Sequence, residues 1–208
     1  MKDLSYYRDY YIDLSVDLPP LNLKTIFNNT HEVSLEIGFG EGDFLIELAM
    51  YHPLQNFIGL EIKKNRFKKA ISHASSLGLK NIRFMHFDAS IDLLQVFEQD
   101  IFSQVFINFP DPWPKKRHQK HRIIKNDLLK QLYKITRQCC QIKIATDHKE
   151  YSDLILEEFR DTDLYSLNSS LKYFGSYSKP QRTITKFERQ FIKERREIYY
   201  LSYIKTNT

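Results

Sequence analysis

The strongest constraint on the fold is a regular alternation of short apolar segments with longer amphipathic ones, running from residue 32 to residue 162. The short segments are rich in Val, Ile, Leu and Phe, as strands are, and the longer ones repeat apolar residues at helical spacing. Such an alternation predicts a mostly parallel sheet with helices on both faces. The chain is therefore expected to form a Rossmann-like, doubly wound α/β fold of three layers, α/β/α.

Glycine, proline and polar residues set the boundaries of these segments. Predicted strands cover 32–37, 56–61, 82–87, 104–109 and 141–146, and predicted helices cover 43–51, 64–77, 90–98, 123–138 and 148–160. After Thr162 the pattern changes, because two further strands at about 163–174 and 196–204 are separated by a polar connection. This pair favours an antiparallel edge on the sheet.

The first 31 residues are polar and rich in tyrosine, and we interpret 1–31 as an N-terminal arm and 32–208 as a single domain. The chain has no run of about 18 apolar residues and begins without an apolar segment, so neither a membrane span nor a signal peptide is predicted. Its two cysteines, Cys139 and Cys140, are adjacent. Adjacent cysteines rarely bridge, so we expect small buried residues of a reduced, cytoplasmic protein.

A glycine loop joins the first predicted strand to the first predicted helix, and it reads Glu36-Ile-Gly-Phe-Gly-Glu-Gly42. Gly38 and Gly40 let the backbone approach a ligand closely. The spacing departs from the dinucleotide fingerprint, whose last glycine is replaced by Asp43, and acids at 36 and 41 would repel a phosphate. The loop therefore favours a cationic ligand that carries an ammonium and a sulfonium group, as S-adenosylmethionine does.

Two more acids end the following predicted strands. Glu61 lies 23 residues after Gly38, where a carboxylate can accept hydrogen bonds from both ribose hydroxyls. Asp88 ends the third strand, where an acid can accept from an adenine amino group. Acids at consecutive strand ends predict S-adenosylmethionine as the cofactor. The alternative is that Glu36 and Glu61 are merely solvated residues at the sheet edge.

Charge is unevenly distributed along the chain, with a balance of −4 over residues 1–104 and +9 over 105–208. Residues 115–125 hold six Lys and Arg, two His and no acid. Such a loop beside an active site contacts phosphates and gives affinity without sequence specificity. A loop that is only solvated is the alternative. The histidines have no metal-ligand spacing to cysteines or acids, so no metal is predicted.

The segment after the fourth strand, Asn108-Phe-Pro-Asp-Pro-Trp-Pro-Lys-Lys-Arg-His118, resembles the bacterial tRNA (guanine-N7-)-methyltransferases. The resemblance includes further segments, in the family's order: 36–42, 59–61, 145–147 and 185–189. It implies a class I methyltransferase that transfers the methyl group of S-adenosylmethionine to N7 of guanine 46 in the variable loop of tRNA. The family contains monomers and homodimers, so both states remain open.

The resemblance also implies residue roles, with Asp111 as the catalytic or cofactor-contacting acid. Together with the loop glycines and Asn108, the predicted cofactor set is Glu36, Gly38, Gly40, Glu61, Asp88, Asn108 and Asp111. Implied substrate contacts are Lys115, Asp147, Thr185 and Glu188, and implied RNA contacts are Arg117, His118, Lys120, His121 and Arg122.

These residue types suit N7 chemistry. Guanine N7 is unprotonated and already nucleophilic, so the enzyme needs orientation and charge compensation, which a carboxylate at 111 can supply. Carboxylates at 147 and 188 can accept from guanine N1–H and N2–H₂, which adenine does not offer. Trp113 stacks on a base or anchors the loop. Two alternative hypotheses remain. The protein is another S-adenosylmethionine-dependent methyltransferase, acting on RNA or a small molecule, or it is a non-enzymatic RNA-binding protein.

Overall fold

The computed structural model describes residues 4–174 and 183–206, with the backbone alone for 169–174. A seven-stranded sheet with the order β3-β2-β1-β4-β5-β7-β6 forms its centre. The strands are β1 Val33–Ile37, β2 Asn56–Glu61, β3 Ile82–His86, β4 Phe102–Asn108, β5 Thr136–Thr146, β6 Tyr165–Phe174 and β7 Glu197–Lys205. The helices are α1 Leu23–Phe27, α2 Asp43–Tyr51, α3 Lys64–Ser76, α4 Asn126–Ile135, α5 Lys149–Thr162 and α6 Lys186–Lys193.

The predicted fold class is confirmed, because β1 to β5 are parallel and helices cover both sheet faces. Every residue of β1 and of β2 is buried, as expected for strands sandwiched between two helix layers. Apolar residues of α2 and α3 pack on one face, and those of α4 and α5 pack on the other. This packing holds the carboxyl ends of the parallel strands at one edge of the domain.

The antiparallel edge is also confirmed, since β7 pairs antiparallel with both β5 and β6. The predicted polar connection between these strands contains α6, which the sequence interpretation missed. Thr185 caps this helix, because its Oγ1 accepts a hydrogen bond from the Glu188 backbone N–H at 2.9 Å. The part of the connection at 175–182 lies outside the described residues.

Three local predictions were wrong. The helix predicted at 90–98 is a single 3₁₀ turn, Leu93–Gln95. Asp92 caps its start, because the Asp92 side chain accepts a hydrogen bond from the Leu94 N–H. The helix predicted at 123–138 ends at Ile135, because Thr136 already pairs with Phe102 as the first residue of β5. Cys139 is exposed at a positive φ of 60° where this strand is irregular, whereas Cys140 is buried as expected.

The N-terminal arm wraps around the free side of β3. A 3₁₀ segment, Leu4–Tyr10, places tyrosines against the α3 layer, and the Ile12 N–H then donates to the carbonyl of Phe84 in β3 at 2.9 Å. Farther along, α1 packs its apolar residues into the core on the opposite sheet face. The division of the chain at residue 32 stays a prediction, but the arm shares both cores with the rest of the fold.

Candidate active site

Two cavities open at the carboxyl edge of the parallel strands. The first, here called the central cavity, has a volume of about 540 Å³. The second, the loop cavity, has a volume of about 190 Å³ and lies against the glycine loop. The predicted site residues in the central cavity are Gly38, Glu61, Asp88, Asn108, Asp111, Lys120, His121 and Arg122. Those in the loop cavity are Glu36, Gly38, Gly40, Asn108 and Thr185, so Gly38 and Asn108 belong to both.

The glycines of the loop have different structural roles. Gly38 and Gly40 have φ of 79° and 62°, and a Cβ on either would meet no atom within 4 Å. Their left-handed backbone requires glycine, and the space above them is open to a ligand. Gly42 is also left-handed, but a Cβ there would lie 2.8 Å from the Cβ of Ala70 in α3. The third glycine therefore serves helix packing, and the first two serve the site.

Glu61 ends β2 and joins the glycine loop to the start of α3. Its Oε2 accepts from the Gly40 N–H at 3.0 Å, and its Oε1 accepts from the Lys63 N–H at 2.8 Å. The guanidinium of Arg66 lies 3.9 Å from Oε2. Each carboxylate oxygen has two lone pairs, so both retain capacity for a ligand hydroxyl. Backbone donors thus fix the orientation of this acid before any ligand binds.

Glu36 is buried at the end of β1. Its Oε1 accepts from Asn108 Nδ2 at 2.9 Å, while its Oε2 has no hydrogen-bond partner within the described part of the chain. Burial raises the pKa of this carboxyl to about 8; the Asn108 hydrogen bond opposes the rise, and the nearby charge of Glu61 adds to it. A buried acceptor without a partner is costly unless a ligand donor fills it. An ammonium group would satisfy this oxygen.

Asp111 lies on a loop with two backbone outliers. Phe109 and Trp113 have φ of 49° and 42°, and bulky side chains rarely adopt this left-handed conformation. Each such residue costs about 1–3 kcal/mol and persists only where surrounding contacts impose it. The ring of Phe109 packs at 5.3 Å on that of Phe191 in α6. The exposed Asp111 side chain thus lies between two strained positions at the wall of the central cavity.

Arg122 fixes the other side of this loop. Its Nε donates to the carbonyl of Pro112 at 2.7 Å, and its guanidinium lies 5.0 Å from the ring centre of Tyr151. Only 7% of the residue is exposed. The RNA contact predicted for Arg122 stays a prediction, but this geometry gives it a structural role in the loop. Trp113 packs at 5.7 and 5.4 Å against the rings of His118 and His121, which favours an anchor over a free stacking platform.

The basic loop contains a 3₁₀ segment, Lys116–His121, at the mouth of the central cavity. Lys116, Arg117 and Lys120 are exposed, and Lys120 lines the cavity itself. Lys115, the predicted substrate contact, is exposed just before the segment and lines neither the central nor the loop cavity. Exposed cations at such a rim can meet the phosphates of an entering polyanion.

The two acids predicted to recognise guanine are held by side chains from the end of the chain. Glu188 is only 1% exposed, and its Oε1 accepts from the hydroxyl of Tyr200 in β7 at 2.5 Å. Asp147 follows β5 and forms an ion pair with Arg196. Glu188 lines a third cavity, of about 630 Å³, which Asn108 also lines. The structure therefore brings Glu188 towards the site, whereas Asp147 lines none of these three cavities.

Sequence reasoning did not find Tyr200 or Arg196, because a tyrosine on a strand and an arginine in a charged stretch carry no local signal of their partners.

Within the described ranges, 4–174 and 183–206, no cluster of three or more His, Cys, Asp or Glu could hold a metal ion. None of the helices described there has the length and apolar character needed to cross a bilayer.

The strand order, with acids lining the pocket at the carboxyl edge, is that of the doubly wound class I methyltransferase fold. Among solved structures, an antibiotic-related methyltransferase matches with a TM-score of 0.68 at 20% identity, covering 93% of this chain and 96% of that one. The 16S rRNA methyltransferase KamB matches with a TM-score of 0.67 at 12% identity, covering 89% and 93%. These likenesses concern the fold.

Comparison with known sequences identifies the family within the methyltransferases. A family described as putative methyltransferase matches residues 30–201. A tRNA (guanine-N(7)-)-methyltransferase of Buchnera aphidicola subsp. Acyrthosiphon pisum (strain 5A) is 36% identical over 203 residues, which cover 96% of this chain and 84% of that protein. A protein of the same name from Leptospira interrogans is 31% identical over 194 residues, covering 93% and 88%. The chain belongs to the tRNA (guanine-N7-)-methyltransferase family.

Proposed function

We propose that this enzyme transfers the methyl group of S-adenosylmethionine to N7 of a guanine in the variable loop of tRNA. The observation that carries the proposal is the strained segment from Phe109 to Trp113, which presents Asp111 in the same cavity as Glu61 of β2 and Asp88, the acid that follows β3. An exposed carboxylate beside a pocket rich in acids suits a reaction that generates positive charge on the substrate. The names of the relatives support the same reaction.

The cofactor pocket fits a sulfonium ligand that also carries an ammonium group. The unpartnered Oε2 of Glu36 would accept from the ammonium, and Glu61 would accept from the ribose hydroxyls. Asp88 uses Oδ1 to accept from the Ser90 N–H at 2.9 Å, and its other oxygen would accept from the adenine amino group. When bound, this ligand supplies an electrophilic methyl group on sulfur.

The chemistry requires no general base. The N7 lone pair forms the new N–C bond, the electrons of the broken S–C bond stay on sulfur, and no proton moves. Positive charge appears on the guanine ring, and the Asp111 carboxylate stabilises that charge most strongly in the transition state. Because this side chain is exposed in the free protein, the entering nucleotide must exclude the water around it.

Glu188 and Asp147 would select guanine over the other bases. Two carboxylates can accept from the N1–H and N2–H₂ donors, whereas adenine leaves at least one of them unpaired, which carries a large penalty in a buried site. Tyr200 holds the first acid in place, and Arg196 has to share or release the second when guanine binds. Lys115 and Thr185 complete the proposed substrate contacts.

Since maturing tRNA is the substrate, we place the enzyme in the cytoplasm, as a monomer or homodimer.

Methyl transfer from labelled cofactor to unmodified tRNA tests this proposal. The product is mapped by chain cleavage, because 7-methylguanosine is chemically labile at its ring. We expect cleavage at one guanine of the variable loop. A methyl group on an exocyclic amine, on a ribose oxygen or at another tRNA position would overturn the assignment.

The role of Asp111 is tested by Asp111→Asn against Asp127→Asn, a matched loss of one exposed carboxylate that also lines the central cavity. Asp111→Asn should lower kcat at least about tenfold with little change in the Kd of the cofactor, because the compensated charge exists only in the transition state. The Asp127 variant should keep the parent's kcat. Equal activity of the two variants would remove Asp111 from the mechanism.

A further inference from the structure

The net charge of the first half of the chain conceals a strongly basic stretch. Residues 62–87 contain seven Lys and Arg and no acid, although residues 1–104 together carry a balance of −4. Five of these cations lie between 63 and 69, at the start of α3. The polyanion-facing surface inferred from the second half is therefore not the only concentration of positive charge.

The start of α3 lies at the same rim as the active site. It follows β2 directly, and Ile62, Lys63 and Arg66 line the central cavity together with Lys120 of the basic loop. In the sheet, β2 and β4 lie on opposite sides of β1. The helix start comes after β2 and the basic loop after β4, so the two basic segments flank the cavity from opposite sides.

Helix stability does not explain these cations. The positive end of the helix dipole disfavours cations in the first turn, and like charges four residues apart on a helix repel each other. α3 has no acid in its first turn and carries Lys64 and Lys68 at that spacing. By contrast, α2, α4, α5 and α6 each carry an acid in the first turn, and the five-residue α1, which has none, carries a single lysine. Such an arrangement, unfavourable to the helix itself, indicates a role in binding an anion.

Three of the five cations are available for such a role. Lys69 donates to Glu41 at 2.6 Å and Arg66 lies near Glu61, so these two have acidic neighbours. Lys63, Lys64 and Lys68 form no ion pair with any acid of the described residues. The first two are exposed and the third is half-buried.

We propose that Lys63, Lys64 and Lys68 form a second tRNA contact, which binds phosphates on the side of the target nucleotide opposite the basic loop. This inference rests on the proposed function. To reach a cavity wall, the guanine must leave its stacked and paired position, which costs a few kcal/mol. Holding the backbone on one side only would let the strand rotate with the base. Two basic segments across the cavity hold the flanking phosphates while the base turns inward.

The test neutralises the three lysines together, as Lys63→Ala, Lys64→Ala and Lys68→Ala. The matched control is Lys24→Ala, Lys80→Ala and Lys134→Ala, which removes the same charge from exposed lysines near the other end of the sheet, where α1 and α4 end and β3 begins. For both triples and the parent, the Kd for unmodified tRNA is measured from 50 to 300 mM salt. Cofactor affinity and melting temperature are measured in parallel.

We expect the α3 triple to bind tRNA at least about tenfold more weakly at low salt and to lose about 2–3 from the log–log salt slope, at about 0.7–0.9 per phosphate contact. Cofactor affinity should stay within about twofold of the parent, and the control triple should match the parent in every assay. The KM for tRNA should rise with the Kd.

Two results overturn the inference, and they differ. If the parent methylates tRNA and the α3 triple matches the control triple in Kd and slope, the contact does not exist although the proposed function stands. If the parent neither binds nor methylates tRNA, the proposed function fails and the inference fails with it. A folded α3 triple that loses binding to anionic vesicles but not to tRNA would assign the cluster to a membrane and also overturn it.

Discussion

The acids of the cofactor region and those of the guanine region are held in different ways. In the first, backbone N–H groups of the glycine loop and of the start of α3 fix Glu61, and Glu36 is buried with one oxygen left open. In the second, the side chains of Tyr200 and Arg196 hold Glu188 and Asp147. Backbone donors cannot leave without unfolding the strand ends, whereas side chains can rotate. We infer that the cofactor region is preformed and that the guanine region rearranges when RNA binds.

The sharpest test of a preformed cofactor region is Glu61→Ala. This change removes the acceptor of two backbone N–H groups as well as the predicted ribose contact. Cofactor affinity should fall by about 1.5–3 kcal/mol, or roughly 10- to 150-fold, the scale of a lost hydrogen bond to a charged group. Calorimetry measures the effect. Glu32→Ala, an exposed acid just before β1, is the matched control, and equal affinities of the two variants would exclude Glu61 from the cofactor site.

The open oxygen of Glu36 predicts a pH dependence. Its pKa is raised to about 8 in the cofactor-free protein, chiefly by burial, whereas an ammonium group pairs with the ionised form. Cofactor affinity should therefore rise with pH by up to about tenfold per unit below pH 8 and level off above it. Binding should release up to one proton, seen as a dependence of the calorimetric heat on the ionisation enthalpy of the buffer.

The same group affects folding with the opposite sign. Because its folded pKa lies above its unfolded value, the protonated form stabilises the cofactor-free protein fully below about pH 4.5, and this stability is lost as pH rises towards 8. Glu36→Gln should remove both pH dependences. Affinity that is flat from pH 6 to 8 in the parent would show that Glu36 is already ionised there.

The smallest of the three effects belongs to the guanine region. Tyr200→Phe removes the hydroxyl that donates to Glu188 and keeps the ring. The KM for tRNA should rise about three- to tenfold, as expected when a hydrogen bond to a charged group is lost and partly replaced by water, with the Kd of the cofactor unchanged. Tyr199→Phe is the control, since its hydroxyl donates to Glu197 instead. A loss of cofactor affinity in the Tyr200 variant would contradict the division into two regions.

Sequence alone predicted the elements whose ends and apolar pattern are visible in their own residues. α2 has the predicted bounds because it lies between Gly42 and Pro53, and β2 has them because its apolar run lies between polar residues. The start of β5 was missed, since Thr136 joins the sheet only by pairing with Phe102 of β4 and an irregular stretch at 137–140 follows it. α6 was missed because its eight residues lie in a polar stretch. Local patterns identify elements, and tertiary pairing decides the ambiguous ones.

The residues of the site likewise fall into those that the sequence predicts and those that it does not. The acids at the ends of β1, β2 and β3 could be found from the sequence, because parallel topology brings strand ends to one edge. The partners of Glu188 and Asp147 could not, since these contacts join distant positions through side chains. Nor does the sequence show that Arg122 packs on Tyr151 while its neighbours in the basic loop are exposed. A run of like charges gives the sign of a surface but not which member is buried.

The crossing of β3 by the N-terminal arm has a consequence for solubility. A bare edge strand offers a row of unpaired backbone groups to which another chain can add by β-sheet pairing. Here the arm occupies part of that row, through the bond from the Ile12 N–H to Phe84 and a bridge between Tyr11 and the same residue. A shortened protein that lacks the arm would present β3 to other copies of itself, and both cores would lose the apolar side chains that the arm supplies. The arm therefore limits self-association through the edge of the sheet.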